Sequence, residues 1–209
     1  MAQSTLVRGQ IFDSRWDWHH LFGAIKRTRL SEPNYIFVHV PKAAGESLLN
    51  WLSESFQILK FRSPSPPKRS PVGEYLLYTG HLDTDWLVDQ KYFRRRQLDA
   101  AWSFAYVRNP FTRIVSLYRH NLRDSVIPQM SLTEYLTWIG SLEPGAYPGR
   151  GAPSAFRASP MTTWLRPSAW SGPKQIFKFE EFEIGLSEIR RRLKISTFPP
   201  LINHDSSDS

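Results

Sequence analysis

The residues best suited to chemistry in this chain lie at positions 35–51, YIFVHVPKAAGESLLNW. The first six are β-branched or aromatic, as in a short buried strand, and the apolar spacing after Ser47 indicates a helix. Three residues between them have almost no side chain: Ala43, Ala44 and Gly45. Backbone N–H groups can therefore approach a ligand closely at this turn. Because a helix N-terminus attracts anions and Lys42 adds a positive charge, the stretch predicts a site for a phosphate-like group.

A second stretch at positions 102–123, WSFAYVRNPFTRIVSLYRHNLR, has a similar plan. A predicted strand ends at Arg108, and Pro110 suits the first turn of the helix that follows. Ser116 lies two turns into that helix, on a face that can point back toward Arg108. A guanidinium group and a hydroxyl together form a good clamp for a phosphate monoester.

A third candidate is His81, which follows a predicted strand at positions 74–80, EYLLYTG. Sheets of α/β proteins place their sites at the ends of such strands, and an imidazole there can take a proton from a hydroxyl at neutral pH. A histidine that only hydrogen-bonds the backbone is the alternative interpretation. Asp83 and Asp85 are second-choice bases, although capping of the next helix explains them more simply.

The two phosphate-binding stretches resemble known motifs. The sequence V-P-K-A-A-G-E-S-L resembles the 5′-phosphosulfate loop of sulfotransferases, usually written P-K-[TS]-[AG]-G-[ST]-[ST]. The pattern V-R-N-P-x-x-R-x-V-S-x-Y is very similar to the 3′-phosphate motif of the same family. The resemblance spans roughly residues 34–205. It implies a P-loop-like α/β fold with a central parallel sheet flanked by helices, and the donor 3′-phosphoadenosine-5′-phosphosulfate (PAPS).

The resemblance also implies a role for each motif residue. The 5′-phosphosulfate group would be held by Lys42, Ala43, Ala44, Gly45, Glu46 and Ser47, and the 3′-phosphate by Arg108 and Ser116. Lys42 would neutralise charge on the leaving phosphate, and His81 would take the proton of the acceptor hydroxyl. The scheme requires no metal. The acceptor is expected to be a carbohydrate, with a lipid-linked sugar, a small alcohol and a protein tyrosine left open.

Two departures from the family pattern leave other functions open. Ala43 replaces the usual hydroxyl residue after the lysine, and Glu46 replaces a common serine or threonine. A carboxylate suits the first turn of a helix but repels an anionic donor unless it points away. The alternatives are a catalytically silent relative that only binds nucleotide, and a phosphotransferase of the nucleotide-kinase type. The kinase alternative is weakened because the lysine does not lie where a Walker A motif places it.

The other expectations concern the whole chain. Its 209 residues predict a single domain at 1–209, with a lead-in helix within 1–30 and a tail at 197–209 that is either naturally short or missing its end. The net charge of +8 favours an anionic partner, but no nucleic-acid motif is present. The sequence has no cysteine, no signal-peptide pattern and no long apolar run. We therefore expect a cytoplasmic protein without stable membrane insertion and leave its oligomeric state open.

Three further stretches carry weaker expectations. The basic run at 94–96 is interpreted as a solvated helix face, with binding of an acidic acceptor as the alternative. Trp164 is expected in the core, with stacking on the adenine base as the alternative. Residues 131–141 predict a helix and residues 175–179 a last strand.

Overall fold

The fold centres on one sheet of five parallel strands. The computed structural model describes residues 30–61, 70–80, 84–141 and 157–197. The strands are β1 (Tyr35–Val38), β2 (Gln57–Lys60), β3 (Tyr75–Tyr78), β4 (Trp102–Val107) and β5 (Gln175–Lys178). Their spatial order is β2-β3-β1-β4-β5, and every neighbouring pair is parallel. The predicted α/β fold with a central parallel sheet is confirmed.

Helices connect the strands. They are α1 (Gly45–Ser55), α2 (Thr84–Asp89), α3 (Arg95–Ala100), α4 (Pro110–Arg123), α5 (Leu132–Gly140), α6 (Thr162–Leu165) and α7 (Phe182–Leu193), and a 3₁₀ turn (Phe179–Glu181) precedes α7. Because parallel crossovers are right-handed, the connection from β1 to β2 and the connection from β3 to β4 cover opposite faces of the sheet. Among the described residues, no helix is long and apolar enough to cross a membrane.

Apolar residues fill both faces of the sheet, as expected for a parallel sheet covered by helices. All four residues of β3 are buried. On the α1 face, Phe37 of β1 stacks on Phe104 of β4 with 5.0 Å between the ring centroids. On the same face, Tyr106 donates a hydrogen bond to the carbonyl of Phe182, which fixes the start of α7 against β4. These contacts hold the carboxyl ends of β1 and β4 in a rigid relationship.

The sequence analysis missed β2. The strand has four residues, QILK, and lies at the edge of the sheet with only Leu59 buried. A four-residue segment between a helix and a proline-rich stretch is too short to show a clear hydrophobic periodicity. Its structure depends on pairing with β3 through the register Gln57↔Tyr75 to Lys60↔Tyr78.

The predicted helix at 131–141 is confirmed as α5, and a reciprocal cap fixes its start. The Ser131 hydroxyl accepts a hydrogen bond from the Glu134 amide, while the Glu134 carboxylate accepts one from the Ser131 amide. The lead-in at 1–30, apart from its last residue, lies outside the described residues, as does all but the first residue of the tail at 197–209.

Candidate active site

The candidate site lies at the carboxyl edge of the sheet. Strands β3, β1 and β4 are neighbours, so the segments that follow them leave from the same edge. After β1 the chain continues to β2 at one edge of the sheet, and after β4 it continues to β5 at the opposite edge. The gap between β1 and β4 is therefore a topological switch point. The loop at 39–44 follows β1, and Arg108 follows β4. The fold therefore brings the two predicted phosphate-binding stretches together.

The turn after β1 has an unusual backbone. Lys42 and Ala44 both adopt the left-handed conformation, each with a φ of 65°. Such a conformation costs a residue with a side chain about 1 kcal/mol, and it is found where a backbone shape serves a function. The Ala43 amide donates to the Val40 carbonyl over 3.3 Å, which closes the turn.

This turn leaves several amides available to a ligand. Helix α1 begins at Gly45, and the first helical hydrogen bond of its N-terminus runs from the Leu48 amide to the Ala44 carbonyl. Within the described part of the chain, the amides at 44–47 donate to no backbone carbonyl. No side chain caps the helix either. A row of free N–H groups at a helix N-terminus is an arrangement that can bind an anion.

Lys42 is half-buried beside this row and is surrounded by other cations. Burial lowers its pKa, and the charges of Arg123, Arg108 and Arg157 lower it further, while Glu46 acts in the opposite direction. Among the described residues, the Lys42 ammonium group has no hydrogen bond or ion pair. A bound anion would therefore relieve a real electrostatic cost at this position.

Arg108 is held in place from two sides. Its Nε donates to the Thr112 hydroxyl over 3.1 Å, and its guanidinium carbon lies 4.6 Å from the centre of the Phe179 ring. The neighbouring Asn109 caps α4 through its side chain and donates its amide to Glu180. The guanidinium group is thus oriented before any ligand binds, which reduces the entropy lost on binding.

One face of α4 lines the site. Thr112, Ser116, His120 and Arg123 are spaced three or four residues apart, so they form one row along the helix. Thr112 contacts Arg108 at the start of the row, and His120 contacts Arg123 near its end. Ser116 lies between these two pairs and is half-buried. The pairing of Ser116 with Arg108 around one ligand stays a prediction.

His120 has cations on both ring nitrogens. Its Nε2 lies 3.3 Å from a guanidinium nitrogen of Arg157, and its Nδ1 lies 3.0 Å from one of Arg123. Asp124 approaches the same Nδ1 at 3.2 Å. Burial lowers the pKa of His120, and the charge of Lys42 lowers it further against the opposing effect of Asp124. The imidazole is therefore neutral at neutral pH and belongs to a cationic cluster.

Arg113 is buried and serves as an anchor. It donates to the carbonyls of Arg157, Ala158 and Ser159 over 3.0, 3.3 and 2.7 Å. The sequence analysis had not singled it out as a ligand, and these contacts give it a structural role. Its hydrogen bonds fix the segment that carries Arg157 against α4.

The remaining predicted residues have the following places. Glu46 is exposed in the first turn of α1, and Ser47 is half-buried as the third residue of that helix. His81 and Asp83 lie outside the described residues. Asp85 is the second residue of α2 and accepts hydrogen bonds from the amides of Ser168 and Ala169, so it joins two segments of the chain.

The other two expectations have clear outcomes. Trp164 is fully buried, which confirms its core position. The basic run at 94–96 is exposed, as expected for a solvated helix face.

The sequence analysis missed part of the site. His120 and Arg123 follow Ser116 on the same helix face, so their spacing was the available signal. Arg157 has no such signal, since it comes from a segment far along the chain. The histidine at position 39, at the end of β1, was also missed because it reads as part of a buried apolar strand.

Together these observations define an α/β protein with a candidate anion-binding site at the carboxyl edge of a parallel sheet. A model of the sulfotransferase family matches residues 30–147, which is more than half of the chain. The protein therefore belongs to the sulfotransferase family. The turn between β1 and α1 and the parallel sheet give it the predicted P-loop-like fold.

Other comparisons add little beyond this family. A comparison with curated proteins finds no match. Among solved structures, the chain is similar to the crystal structure of a sulfotransferase from Alicyclobacillus acidocaldarius, with 18% identity and a TM-score of 0.48. The similarity covers 81% of this chain and 84% of the other.

Proposed function

We propose that this protein transfers a sulfuryl group from PAPS to the hydroxyl of an acceptor, and that the acceptor is a carbohydrate. The observation that supports the donor is the convergence of the free amides at 44–47, the Lys42 ammonium group and the oriented Arg108 at one edge of the sheet. A donor with a 5′-phosphosulfate and a 3′-phosphate needs two anion sites, and this edge offers them from two separate strand ends.

Each residue has a distinct task in this proposal. The loop at 42–47 receives the 5′-phosphosulfate through its free amides at 44–47, while Ala43 closes the turn, and Arg108 with Ser116 receives the 3′-phosphate. When bound, PAPS supplies the sulfuryl group, whose bond to a phosphate oxygen breaks as the acceptor oxygen forms its bond to sulfur. Lys42 stabilises the negative charge left on that phosphate oxygen, and the product is adenosine 3′,5′-bisphosphate.

His81 is the proposed base for the acceptor hydroxyl. It lies outside the described residues, and Gly80, one position before it, is the last described residue after the carboxyl end of β3. The proposal for His81 depends on the sequence motif and on the ability of an imidazole to accept a proton at neutral pH. The cytoplasmic location likewise stays a prediction.

The donor site is tested by calorimetric titration with adenosine 3′,5′-bisphosphate. We expect the unchanged protein to bind and Arg108→Ala to bind about 10- to 100-fold more weakly, because charge-assisted hydrogen bonds to phosphate are lost. The matched control is Arg96→Ala, which removes the same charge from an exposed position on α3. Equal affinities for Arg108→Ala and the control would overturn the assignment of the 3′-phosphate site.

Transfer itself needs a second measurement. Incubation with sulfur-labelled PAPS and a panel of glycans, alcohols and tyrosine peptides should label carbohydrate, and His81→Ala should abolish labelling while binding of the bisphosphate persists. Binding without labelling of any acceptor would support the catalytically silent alternative. Binding of ATP in preference to the bisphosphate would instead favour a phosphotransferase.

A further inference from the structure

A buried histidine lies directly beneath the phosphate-binding turn. His39 follows β1 and is 3% exposed. Its backbone amide donates to the Thr79 hydroxyl over 3.1 Å, which ties it to the segment after β3. The backbone of His39 is therefore held in place within the core, at the residue where the turn begins.

The ring of His39 touches the first residue of α1. A Cβ atom built on Gly45 would lie 1.9 Å from Nε2 of His39 and 2.1 Å from its Cδ2. No real contact is that short, so the imidazole occupies the space that a side chain at position 45 would need. The glycine allows the ring and the helix N-terminus to meet, and the ring supports the turn from below.

Tyr78 holds the other side of the ring. Its hydroxyl oxygen lies 2.6 Å from Nδ1 of His39, and the two rings stack with 5.3 Å between their centroids. Burial, together with the charge of Glu46, raises the pKa of Tyr78, so its hydroxyl keeps its proton and can donate to Nδ1. Such a bond places the proton of a neutral imidazole on Nε2, toward Gly45.

We propose that His39 and Tyr78 are positioning residues, which hold the amides of the turn at the height and angle needed to bind the 5′-phosphosulfate. The turn itself contributes few hydrogen bonds to its own shape, since it contains two left-handed residues and one closing bond. A chain of contacts from Tyr78 through His39 to Gly45 supplies the missing support. This inference rests on the proposed function, because it concerns the donor of that reaction.

The test removes one hydroxyl without changing the packing. Tyr78→Phe should bind adenosine 3′,5′-bisphosphate roughly 3- to 10-fold more weakly, the effect of one lost hydrogen bond at a buried site. The matched control is Tyr75→Phe on the same strand, where the hydroxyl donates to the Ser31 carbonyl, also over 2.6 Å. Tyr75 lies at the amino end of β3, away from the turn, so this control should retain full affinity.

A second ligand separates positioning from a general loss of structure. Adenosine 3′-monophosphate lacks the 5′-phosphate, so its affinity should be the same for Tyr78→Phe and the unchanged protein. In transfer assays, Tyr78→Phe should lower kcat/KM for the donor and leave KM for the acceptor unchanged. His39→Asn is the second variant, and it should show the same selective loss.

The outcomes separate the two proposals. If the unchanged protein does not bind the bisphosphate, the proposed function fails and this inference fails with it. If the unchanged protein binds and Tyr78→Phe binds equally well, only the positioning role is overturned. An equal loss of affinity for both ligands would also overturn it, because that result indicates a general structural defect.

Discussion

Nε2 of His120 lies 3.3 Å from a guanidinium nitrogen of Arg157, although the two residues are 37 positions apart in the sequence. The contact joins α4 to the segment that Arg113 anchors, which carries Arg157, one of the three arginines whose charges act on Lys42. Among the described residues, the acidic groups that act on these cations and on His120 are Glu46, Asp124 and Glu180. The candidate site therefore has an excess of positive charge, which would favour binding of an anion.

The first prediction concerns pH and His120. Its pKa is lowered from the usual 6.5, so in the acid range the unfolded chain binds a proton before the folded protein does. Stability should therefore fall as the pH drops through 6.5 toward the folded-state pKa, and the fall should be smaller in His120→Gln. Thermal unfolding between pH 5 and 8 measures this, and identical pH profiles for the two proteins would contradict it.

The lowered pKa of His120 also predicts proton uptake when an anion binds. An anion between Lys42 and Arg157 would favour protonated His120 and raise its pKa. Calorimetry near pH 6 in buffers of different ionisation enthalpy should show protons taken up by the unchanged protein and fewer by His120→Gln.

The second prediction concerns Arg113. Its replacement by methionine keeps much of the side-chain volume but leaves the carbonyls of residues 157–159 without their donors. We expect the free energy of unfolding in urea to fall by roughly 3 kcal/mol. The control is Arg96→Met at an exposed position, which should change it by less than about 0.5 kcal/mol. A loss as small as that of the control would show that the anchor is not needed.

The third prediction concerns Glu46, a departure from the family motif. Its carboxylate raises the pKa of Lys42, so the two charges interact. Glu46→Gln should bind adenosine 3′,5′-bisphosphate about fivefold more tightly, since roughly 1 kcal/mol of repulsion between carboxylate and ligand is removed. High salt should reduce the gain.

Glu46→Gln should also change how the affinity for the bisphosphate depends on pH above neutrality. Without Glu46 the pKa of Lys42 falls further, so affinity should decline at a lower pH than in the unchanged protein. Glu54→Gln, at the exposed far end of α1, is the control. A weaker complex for Glu46→Gln would mean that the carboxylate contributes to the turn itself.

The fourth prediction uses the contact between Gly45 and His39. Gly45→Ala alone should destabilise the protein by about 2 kcal/mol, because its Cβ overlaps the imidazole. His39→Ala should also destabilise it by leaving a cavity. The double variant should be more stable than the sum of the single losses predicts, by at least about 1 kcal/mol. Strictly additive losses in urea unfolding would contradict direct contact.

Much of the fold followed from local patterns. The strands around positions 35–40 and 102–107, and the helices that follow them, have apolar runs and stop signals strong enough to place them. The edge strand β2 could not be placed, since its four residues form a strand only by pairing with β3. The helix at 131–141 was placed correctly; Tyr135 is its one buried residue, and Leu136 is 44% exposed.

Some residues of the candidate site were likewise suggested by local sequence, and others were found only in the structure. Lys42, the small residues after it, Arg108 and Ser116 were found from sequence, since a phosphate-binding turn and a strand-to-helix clamp are each local in the chain. The sequence by itself thus determined the family and the parallel-sheet fold, and it supplied the two candidate anion-binding stretches. Only the tertiary structure decided that Arg157 contacts His120, that Arg113 is an anchor, and that the ring of His39 lies against Gly45. The first two contacts join residues distant in the chain, and the third depends on how the His39 ring packs in the core, so no local periodicity predicts them.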